Sequence, residues 1–283
     1  MNSTAYEITV YEIVKKIPLL AQLPTSEINI QKLRGLSNRN FLLNTPRGKY
    51  VLRLPKESTR IYINRENEAH NADIAQHLGF APKVLWQEKR LGQLTGVSLT
   101  NYISDIQPSN SSTFNDTQIL KEIADQLQIL QNCRGIFKGK LDHHVIRKQI
   151  RLYFKNCSKK QQEILRPDYQ ETQFLLKRIE LSKRPAVPSH IDFIKGNILI
   201  QEKRGWIIDW EYSAMASPFW DIATFCNSVE LEDDKAKEFL TMVLTDQQSN
   251  DIDGLQQYRK ITKTMSNCWK MALKQRTSNK LEI

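Results

Sequence analysis

The chain has little of what usually marks a secreted, zinc-binding or membrane protein. It contains four cysteines, which form no CxxC pair and have no histidines beside them at metal-ligand spacing. Neither a zinc site nor a disulfide framework is therefore expected. The sequence also lacks a run of about 18 apolar residues, the length that a membrane-spanning helix needs. Its start lacks the basic segment, apolar segment and cleavage site of a secretory signal, so we expect a cytoplasmic protein without membrane insertion.

Long runs of charge of one sign are also missing, although the formal net charge is +10. A high positive charge is typical of proteins that bind nucleic acid, because phosphate backbones attract clustered lysine and arginine. Here the 41 basic residues are spread along the chain, with only short runs such as Lys159 and Lys160. No motif of a nucleic-acid-binding fold accompanies them. We therefore expect no nucleic-acid partner and interpret the charge as suited to a polyanionic nucleotide.

The length and composition are those of an ordinary globular protein. The chain has 283 residues, of which 40% are hydrophobic and 25% are charged. A single hydrophobic core stops growing at roughly 250–300 residues, so this length favours one domain built from two lobes. No internal repeat or long low-complexity segment indicates a solenoid or disorder.

The first half of the chain is rich in short β-type segments separated by turn residues such as Thr45–Gly48. They are INIQKLRG (28–35), NFLLNT (40–45), KYVLRLP (49–55), KVLWQE (83–88) and LTGVSLTNYI (94–103). Between them, residues 63–79 have Ala72, Ala75 and Leu78 at helical spacing and end at Gly79, a suitable C-terminal cap. This half predicts a small antiparallel β-sheet with one helix.

The second half is mainly helical and begins after the polar stretch Gln107–Gln118. Apolar residues recur at helical spacing near residues 116–133, 143–182, 217–230, 234–247 and 254–275. The exception is a predicted β-hairpin, in which Asn197–Ile200 and Trp206–Asp209 flank the turn residues QEKRG. We therefore predict an α+β fold of two lobes. The β-rich N-lobe spans residues 1–103, and the larger, mostly helical C-lobe spans residues 104–283.

A set of polar residues interrupts the apolar segments around this hairpin. His190-x-Asp192-x-x-x-x-Asn197 has the spacing of a kinase catalytic loop, and Asp209 follows Asn197 by 12 residues at the end of a strand. Phosphoryl transfer needs a carboxylate that accepts the proton of the attacking hydroxyl, and oxygen ligands for Mg²⁺. Each aspartate alone could equally cap a turn or end a strand. Their combined spacing favours a kinase-like site that takes a nucleotide and Mg²⁺.

Five segments together resemble the choline/ethanolamine kinase family, within the aminoglycoside phosphotransferase-like branch of the protein-kinase-like fold. They are GLSNRNFLL (35–43), KYVLRLP (49–55), INRENEAHNADIAQHLGFAP (63–82), HIDFIKGNILI (190–200) and IIDWEYSAMASPFWDIATFCN (207–227). The resemblance covers roughly residues 28–275 and is strongest to the bacterial choline kinases. It implies a kinase that uses ATP and Mg²⁺ to phosphorylate the hydroxyl of choline or a similar amino alcohol.

The resemblance implies roles for individual residues. It makes Asp192 the catalytic base, Asn197 and Asp209 the magnesium ligands, and Glu211 an acidic residue close to the metal or the substrate. It also places Arg53, in YVLRLP, at the strand position from which protein kinases pair a lysine with the nucleotide phosphates. A guanidinium suits this position because it forks onto phosphate oxygens and keeps its charge. A surface arginine on an edge strand is the alternative.

Further nucleotide contacts are expected from the N-lobe. The partner glutamate of Arg53 should come from the predicted helix, where Glu66 and Glu68 are candidates and only Glu68 lies on the apolar face. The segment GLSNRN falls where the phosphate-covering loop of kinases belongs, although it lacks GxGxxG. Its backbone N–H groups and the side chains of Ser37 and Asn38 can hold phosphate oxygens. A plain turn explains that segment equally well.

Departures from the protein-kinase motifs indicate a small-molecule acceptor. HID lacks the arginine of HRD, DWE replaces DFG, and no APE motif follows. The arginine of HRD responds to a phosphorylated activation loop, so its absence argues against regulation of that kind. A protein substrate is therefore not expected.

The expected acceptor is a small alcohol with a cationic nitrogen. A quaternary ammonium such as that of choline donates no N–H hydrogen bond and is usually held by aromatic faces and carboxylates. The candidate walls are Tyr212, Trp220 and Trp269, with Glu211 as the carboxylate. For a tryptophan on an amphipathic helix, simple core packing is the alternative. Asp221, in FWDIA, is expected to support the catalytic loop by hydrogen bonding.

Other functions remain compatible with the sequence. An aminoglycoside or thiamine phosphotransferase would use the same chemistry, and a nucleotide-binding pseudokinase would use the same fold without turnover. The intact Asp192, Asn197 and Asp209 argue against a pseudokinase, since losing one of them is the usual route to inactivity. The sequence leaves open the acceptor, the preference for ATP or GTP, and whether the protein is a monomer or a homodimer.

Overall fold

The computed structural model describes residues 10–33, 35, 38–56, 63–91, 94–107, 110–179, 184–246 and 248–281. By their packing these residues divide into two compact units. The first unit contains the residues up to Arg65 together with Pro82–Ile103, and the second contains Glu66–Ala81 and Ser104–Ile283. Among the residues so described, no helix combines the length and the hydropathy needed to cross a membrane.

The first unit is an antiparallel five-stranded sheet. Its strands are β1 (Asn29–Leu33), β2 (Asn38–Thr45), β3 (Gly48–Pro55), β4 (Val84–Leu91) and β5 (Leu94–Asn101), in the spatial order β1-β2-β3-β5-β4. One face packs on a short helix, α1 (Val10–Val14), through buried residues such as Ile13, Leu52 and Leu99. All five predicted β segments are strands, because period-2 alternation puts their apolar residues on one face.

The helix predicted in the first lobe is α2 (Arg65–His77), which Gly79 ends at a φ of 88°. From Glu66 onward, however, its packing groups it with the second unit. The buried Asn71 explains this grouping, because its amide donates to the carbonyls of Lys138 (3.0 Å) and Ser213 (2.8 Å). Its carbonyl oxygen also accepts from the backbone N–H of Lys138 at 2.8 Å. The two units therefore divide near residue 103, except that residues 66–81 group with the second unit.

The second unit is mostly helical, as the periodicity predicts. Its further helices are α3 (Thr117–Asn132), α4 (His143–Lys155), α5 (Lys159–Ile179), α6 (Phe219–Val229), α7 (Asp233–Val243) and α8 (Asp251–Leu281). The segment of helical periodicity over residues 143–182 therefore contains two helices, with a break after Lys155. Ser158 and Gln161 begin the second helix with a reciprocal capping box, in which each backbone N–H donates to the other's side chain.

Two small sheets complete the second unit. The predicted hairpin is formed by β9 (Ile198–Gln201) and β10 (Arg204–Ile207), and β6 (Ile106–Gln107) pairs with β9. The other sheet has the order β7-β11-β8, from Lys140–Leu141, Ala214–Ala216 and Val187–Ser189. The loop between β8 and β9 and the segment between β10 and β11 carry the motif residues, so these two sheets position the candidate site.

Candidate active site

Asp192 and Asn197 form one hydrogen-bonded unit within the loop between β8 and β9. The Asn197 side-chain amide donates to the backbone carbonyl of Asp192 and to its carboxylate oxygen Oδ2, each at 2.9 Å. A short 3₁₀ turn, Lys195–Asn197, brings the asparagine back towards the aspartate. The five-residue separation read from the sequence is thus the span of one compact turn that fixes the Asp192 side chain.

Burial raises the pKa of the Asp192 carboxyl, as the largest of three effects. The hydrogen bond from Asn197 lowers it, and the nearby charge of Glu211 raises it. Desolvation favours the neutral form of a carboxylic acid, and a neighbouring negative charge does the same. The ionised carboxylate therefore has an increased affinity for a proton, which suits a general base.

Asp209 lies two residues beyond the end of β10 rather than at the strand end predicted from sequence. It has a left-handed conformation with a φ of 68° and a ψ of 60°. The antiparallel pairing of Ile198 with Ile207 continues in a backbone hydrogen bond of 2.9 Å from Ile208 N–H to the carbonyl of Asn197. Asn197 and Asp209 therefore lie at the same end of the hairpin.

The donor set at this end fits Mg²⁺. The Nδ2 group of Asn197 is engaged with Asp192, which leaves its Oδ1 as an oxygen donor. The part of the chain that the structure describes has no cluster of three or more His, Cys, Asp or Glu side chains that could hold a metal ion. Mg²⁺ needs no such cage, because it is usually held by one or two carboxylates together with substrate phosphates and water. Asn197 and Asp209, with Glu211 beside them, are the residues that can hold it.

Glu211 and Tyr212 follow Asp209 in a second 3₁₀ turn. The Glu211 side chain is buried, and Tyr212 is half-buried. Burial raises the pKa of the Tyr212 phenol, and the charges of Glu211, Asp192 and Asp209 raise it further. The Tyr212 phenol therefore lies within electrostatic reach of these carboxylates. The structure thus places Tyr212, a candidate aromatic residue of the acceptor site, near Asp192, the predicted base.

Tyr153 also raises the pKa of the Tyr212 phenol, although sequence reasoning did not select it. It lies on α4, and its hydroxyl accepts a hydrogen bond of 2.7 Å from the Gln149 amide. Its sequence position in an amphipathic helix carries no signal of a site, because a half-buried tyrosine there is typical of packing. Only the folded chain shows that it neighbours Tyr212.

His190 joins the catalytic loop to the segment that carries Asp209. Its Nε2–H donates to the carbonyl of Ile208 at 2.9 Å, and its ring packs 4.6 Å from that of Trp210. Burial lowers the pKa of His190 to about 4. The imidazole is therefore neutral at neutral pH, which fits a donor in the core rather than an acid or base.

Asp221 supports the catalytic loop, as predicted. From the first turn of α6, its two carboxylate oxygens accept the backbone N–H groups of His190 (2.6 Å) and Ile191 (2.9 Å). Burial raises the pKa of Asp221 to about 7, and these two hydrogen bonds oppose the rise. The other end of the loop is bound to the same helix, because Lys195 N–H donates to Ser228 Oγ at 3.0 Å.

The two candidate tryptophans have different surroundings. Trp220 is only 3% exposed, and its indole Nε1–H donates to the carbonyl of Ile191 at 2.9 Å. A side chain so enclosed offers no open face to a cation, so the structure favours a supporting role for Trp220 over the predicted cage wall. Trp269, on α8, is half-buried and keeps part of its surface accessible.

In the first unit, Arg53 lies on β3, which has a hydrogen-bonded strand on each side. The alternative of an edge strand is therefore wrong. Leu52 and Leu54 point into the core, so Arg53 faces the opposite side of the sheet. The register places Asn40 and Ser98 directly beside it on that face. A polar row across the centre of a sheet is a suitable setting for phosphate oxygens.

The remaining nucleotide candidates are described only in part. Glu68 is buried on α2 whereas Glu66 is exposed, which supports Glu68 as the inward-facing glutamate. Asn38 is buried at the start of β2. The backbone of Gly35 lies close to that of Asn38. A Cβ atom on Gly35 would lie 2.6 Å from the Asn38 carbonyl oxygen. Ser37 lies outside the described residues.

The comparison with known sequences agrees with this geometry. Residues 29–259 match the phosphotransferase enzyme family (APH). Protein LicA of Haemophilus influenzae is 30% identical over 213 residues, which make up 74% of this chain and 60% of that relative. The chain therefore spans less than two thirds of the length of this curated relative.

Solved structures of low sequence identity share the fold. Choline kinase LicA from Streptococcus pneumoniae superposes with a TM-score of 0.76 at 22% identity, over 94% of this chain and 91% of that one. A LicA structure in complex with AMP has a TM-score of 0.69 at 22% identity, over 94% and 97% of the two chains. The predicted α+β, protein-kinase-like fold is confirmed. The chain belongs to the phosphotransferase enzyme family, as its resemblance to choline-kinase-like members predicts.

Proposed function

We propose that the protein is an ATP-dependent kinase that transfers a phosphoryl group to the hydroxyl of choline or a similar amino alcohol. The observation that carries this proposal is the fixed unit of Asp192 and Asn197, held by two hydrogen bonds of 2.9 Å beside the segment of Asp209. Catalysis of phosphoryl transfer consists almost entirely of positioning and electrostatic stabilisation. A base and metal-binding oxygens held in one rigid turn meet that requirement.

Each candidate site residue has a defined task in this reaction. Asp192 accepts the proton of the acceptor hydroxyl as the hydroxyl oxygen attacks the terminal phosphorus of ATP, and the bond from that phosphorus to the leaving ADP breaks. Asn197, Asp209 and Glu211 provide oxygen ligands, and the Mg²⁺ they hold would offset the negative charge of the phosphates. Arg53 binds phosphate oxygens from the polar face of its sheet. Ser37 and Asn38 cover the phosphates.

The acceptor is recognised by its positive nitrogen and its hydroxyl. Tyr212 and Glu211 supply an aromatic face and a negative charge close to Asp192, the arrangement that a quaternary ammonium requires. Trp269 contributes a further wall from α8. The Streptococcus pneumoniae protein that shares this fold is a choline kinase, which supports choline as the first acceptor to test.

A coupled assay of ADP release tests the proposal. The purified protein is given ATP and Mg²⁺ with choline, ethanolamine, thiamine or kanamycin as the acceptor. We expect choline or ethanolamine to raise ADP release well above the background without acceptor. We also expect Asp192→Asn to reduce kcat by at least about 100-fold, since a positioned base contributes about 10² to 10⁴.

Each other outcome excludes a part of the proposal. A preference for thiamine or kanamycin would retain the kinase and replace its acceptor. Nucleotide binding without turnover on any acceptor would indicate a pseudokinase. Full activity of Asp192→Asn would remove Asp192 as the base.

A further inference from the structure

The residue before the proposed base has a conformation that its side chain disfavours. Ile191 has a φ of 74°, in the left-handed region. A β-branched residue there brings its side chain against its own backbone, so it rarely adopts this conformation without external support. Because Ile191 directly precedes Asp192, its φ and ψ set the direction in which the Asp192 side chain leaves the loop.

Two consecutive residues of α6 hold both peptide groups of Ile191. The Asp221 carboxylate accepts its N–H at 2.9 Å, and the Trp220 indole donates to its carbonyl at 2.9 Å. The carbonyl belongs to the peptide bond that leads into Asp192. Trp220 therefore fixes the last peptide plane before the base, while Asp221 fixes the plane before that one.

The indole is itself held rigidly. Trp220 is buried, and its ring packs edge-on against Tyr258 of α8, with the ring centroids 6.3 Å apart. Tyr258 also packs against the ring of Phe219, at 5.8 Å between centroids. A donor excluded from water has no solvent acceptor to compete with the Ile191 carbonyl. The bond therefore links the packed helices α6 and α8 to the catalytic loop.

We propose that Trp220 is a positioning residue, whose indole N–H keeps Ile191 in its left-handed conformation and thereby aims Asp192 at the acceptor hydroxyl. This inference rests on the proposed kinase function and gives Trp220 a role different from contact with the acceptor. Trp220 acts through Ile191 and touches no reactant.

Trp220→Phe tests this role, because it keeps an aromatic ring and removes the N–H donor together with the second ring of the indole. We expect kcat to fall about tenfold, the effect of losing one buried hydrogen bond, while the KM values for ATP and acceptor change less than about twofold. Trp206→Phe is the matched control, since the Trp206 indole donates to Gln201 on the hairpin, at 3.2 Å, and not to the loop. It should leave kcat unchanged.

A double-mutant cycle with Ile191→Gly separates positioning from core packing. Glycine adopts a positive φ without steric cost. In that background the left-handed conformation therefore depends less on the hydrogen bond from the Trp220 N–H. We expect the effect of Trp220→Phe on kcat, and on the urea midpoint of unfolding, to be at most half as large in Ile191→Gly as in the wild type. Equal effects in both backgrounds would overturn the proposal, as would an unchanged kcat in Trp220→Phe.

The two proposals fail in different ways. If the wild type releases no ADP with any acceptor, the kinase function is wrong, and the cycle of urea midpoints still decides whether Trp220 supports Ile191. If the wild type is active and the cycle is additive, the kinase stands and the role of Trp220 is wrong. If Trp220→Phe raised the acceptor KM and left kcat unchanged, Trp220 would instead be assigned to contact with the acceptor.

Discussion

The amide nitrogen of Asn197 donates to the carboxylate and to the backbone carbonyl of Asp192, both at 2.9 Å. The two bonds restrict the Asp192 side chain and leave the other amide atom of Asn197, an oxygen, for a metal. One asparagine can therefore serve two tasks, since its two polar atoms have opposite hydrogen-bonding character. A carboxylate at position 197 would perform only one of them.

Asn197→Asp should for this reason reduce kcat strongly. The substitution keeps a metal-binding oxygen, removes both hydrogen bonds to Asp192 and adds a negative charge beside it. We expect a loss of about 100-fold or more, since a hydrogen bond to a charged group contributes about 1.5–3 kcal/mol. Steady-state kinetics at saturating ATP measure it. Asn132→Asp, on the exposed surface of α3, serves as the control. Retention of half the wild-type kcat in Asn197→Asp would contradict the assignment of both tasks to Asn197.

Trp269→Ala should weaken acceptor binding selectively. If the indole is a wall of the acceptor site, its loss should raise the choline KM about tenfold, consistent with a cation–π contact of about 1–2 kcal/mol. The ATP KM should change little, because ATP does not need that wall. Trp206→Ala provides a tryptophan truncation on the hairpin for comparison. Equal changes in both KM values would assign Trp269 to folding instead.

The buried His190 should make the protein acid-sensitive. Its pKa is about 4 in the folded state, below the ordinary value of 6.5, so the unfolded chain takes up a proton first as the pH falls. The stability it contributes is complete above about pH 6.5 and is lost towards pH 4. At about pH 4.5 this loss amounts to about 2–3 kcal/mol.

His190→Gln is the variant that isolates this effect, because glutamine can still donate to a carbonyl but does not titrate. Urea unfolding at about pH 7 and about pH 4.5 measures the free energy of unfolding of both proteins. The wild type should lose more stability than the variant between these two pH values. The same loss in both would show that other groups govern the acid response.

Arg184 and Asp251 form a buried ion pair that should stabilise the second unit. Their side chains are 9% and 3% exposed, and Arg184 makes two hydrogen bonds to the carboxylate, at 2.8 and 2.6 Å. Arg184→Leu would leave the Asp251 charge buried without its counter-ion and should cost about 3–5 kcal/mol in urea unfolding. Lys121→Ala, which breaks an exposed pair with Asp125, should cost less than about 1 kcal/mol.

A second substitution tests the origin of that cost. Arg184→Leu with Asp251→Asn removes the buried charge and keeps an acceptor for the backbone N–H of Gln248, which Asp251 binds at 2.7 Å. The double variant should recover part of the lost stability. If it is no more stable than Arg184→Leu alone, packing around Arg184 is the cause, and the ion pair is not.

Much of the fold followed from local patterns. The alternation of Leu52, Arg53 and Leu54 predicts a half-buried strand, and the structure has one. The break after α4 was missed although Ser158 and Gln161 have the spacing of a capping box, since periodicity continued across it. The candidate residues Asp192 and Asn197 were selected by their spacing, which is the span of one compact turn.

Other features depend on contacts that no local pattern encodes. The grouping of α2 with the second unit depends on Asn71, whose partners lie 67 and 142 residues away in sequence. Trp220 has the same sequence signature whether it lines a pocket or fills a core. Its bond to the Ile191 carbonyl spans 29 residues and could be recognised only in the folded chain.

The sequence by itself determined most of the strands and helices, the family, and the set of chemical groups that could act as base and ligands. These properties depend on periodicity and short spacings, which act within a few residues of the chain. Only the tertiary structure decided that His190 is a neutral donor and that Tyr153 neighbours Tyr212. Burial, charge and hydrogen bonding at a given side chain are set by the segments packed around it, and those segments come from distant parts of the sequence.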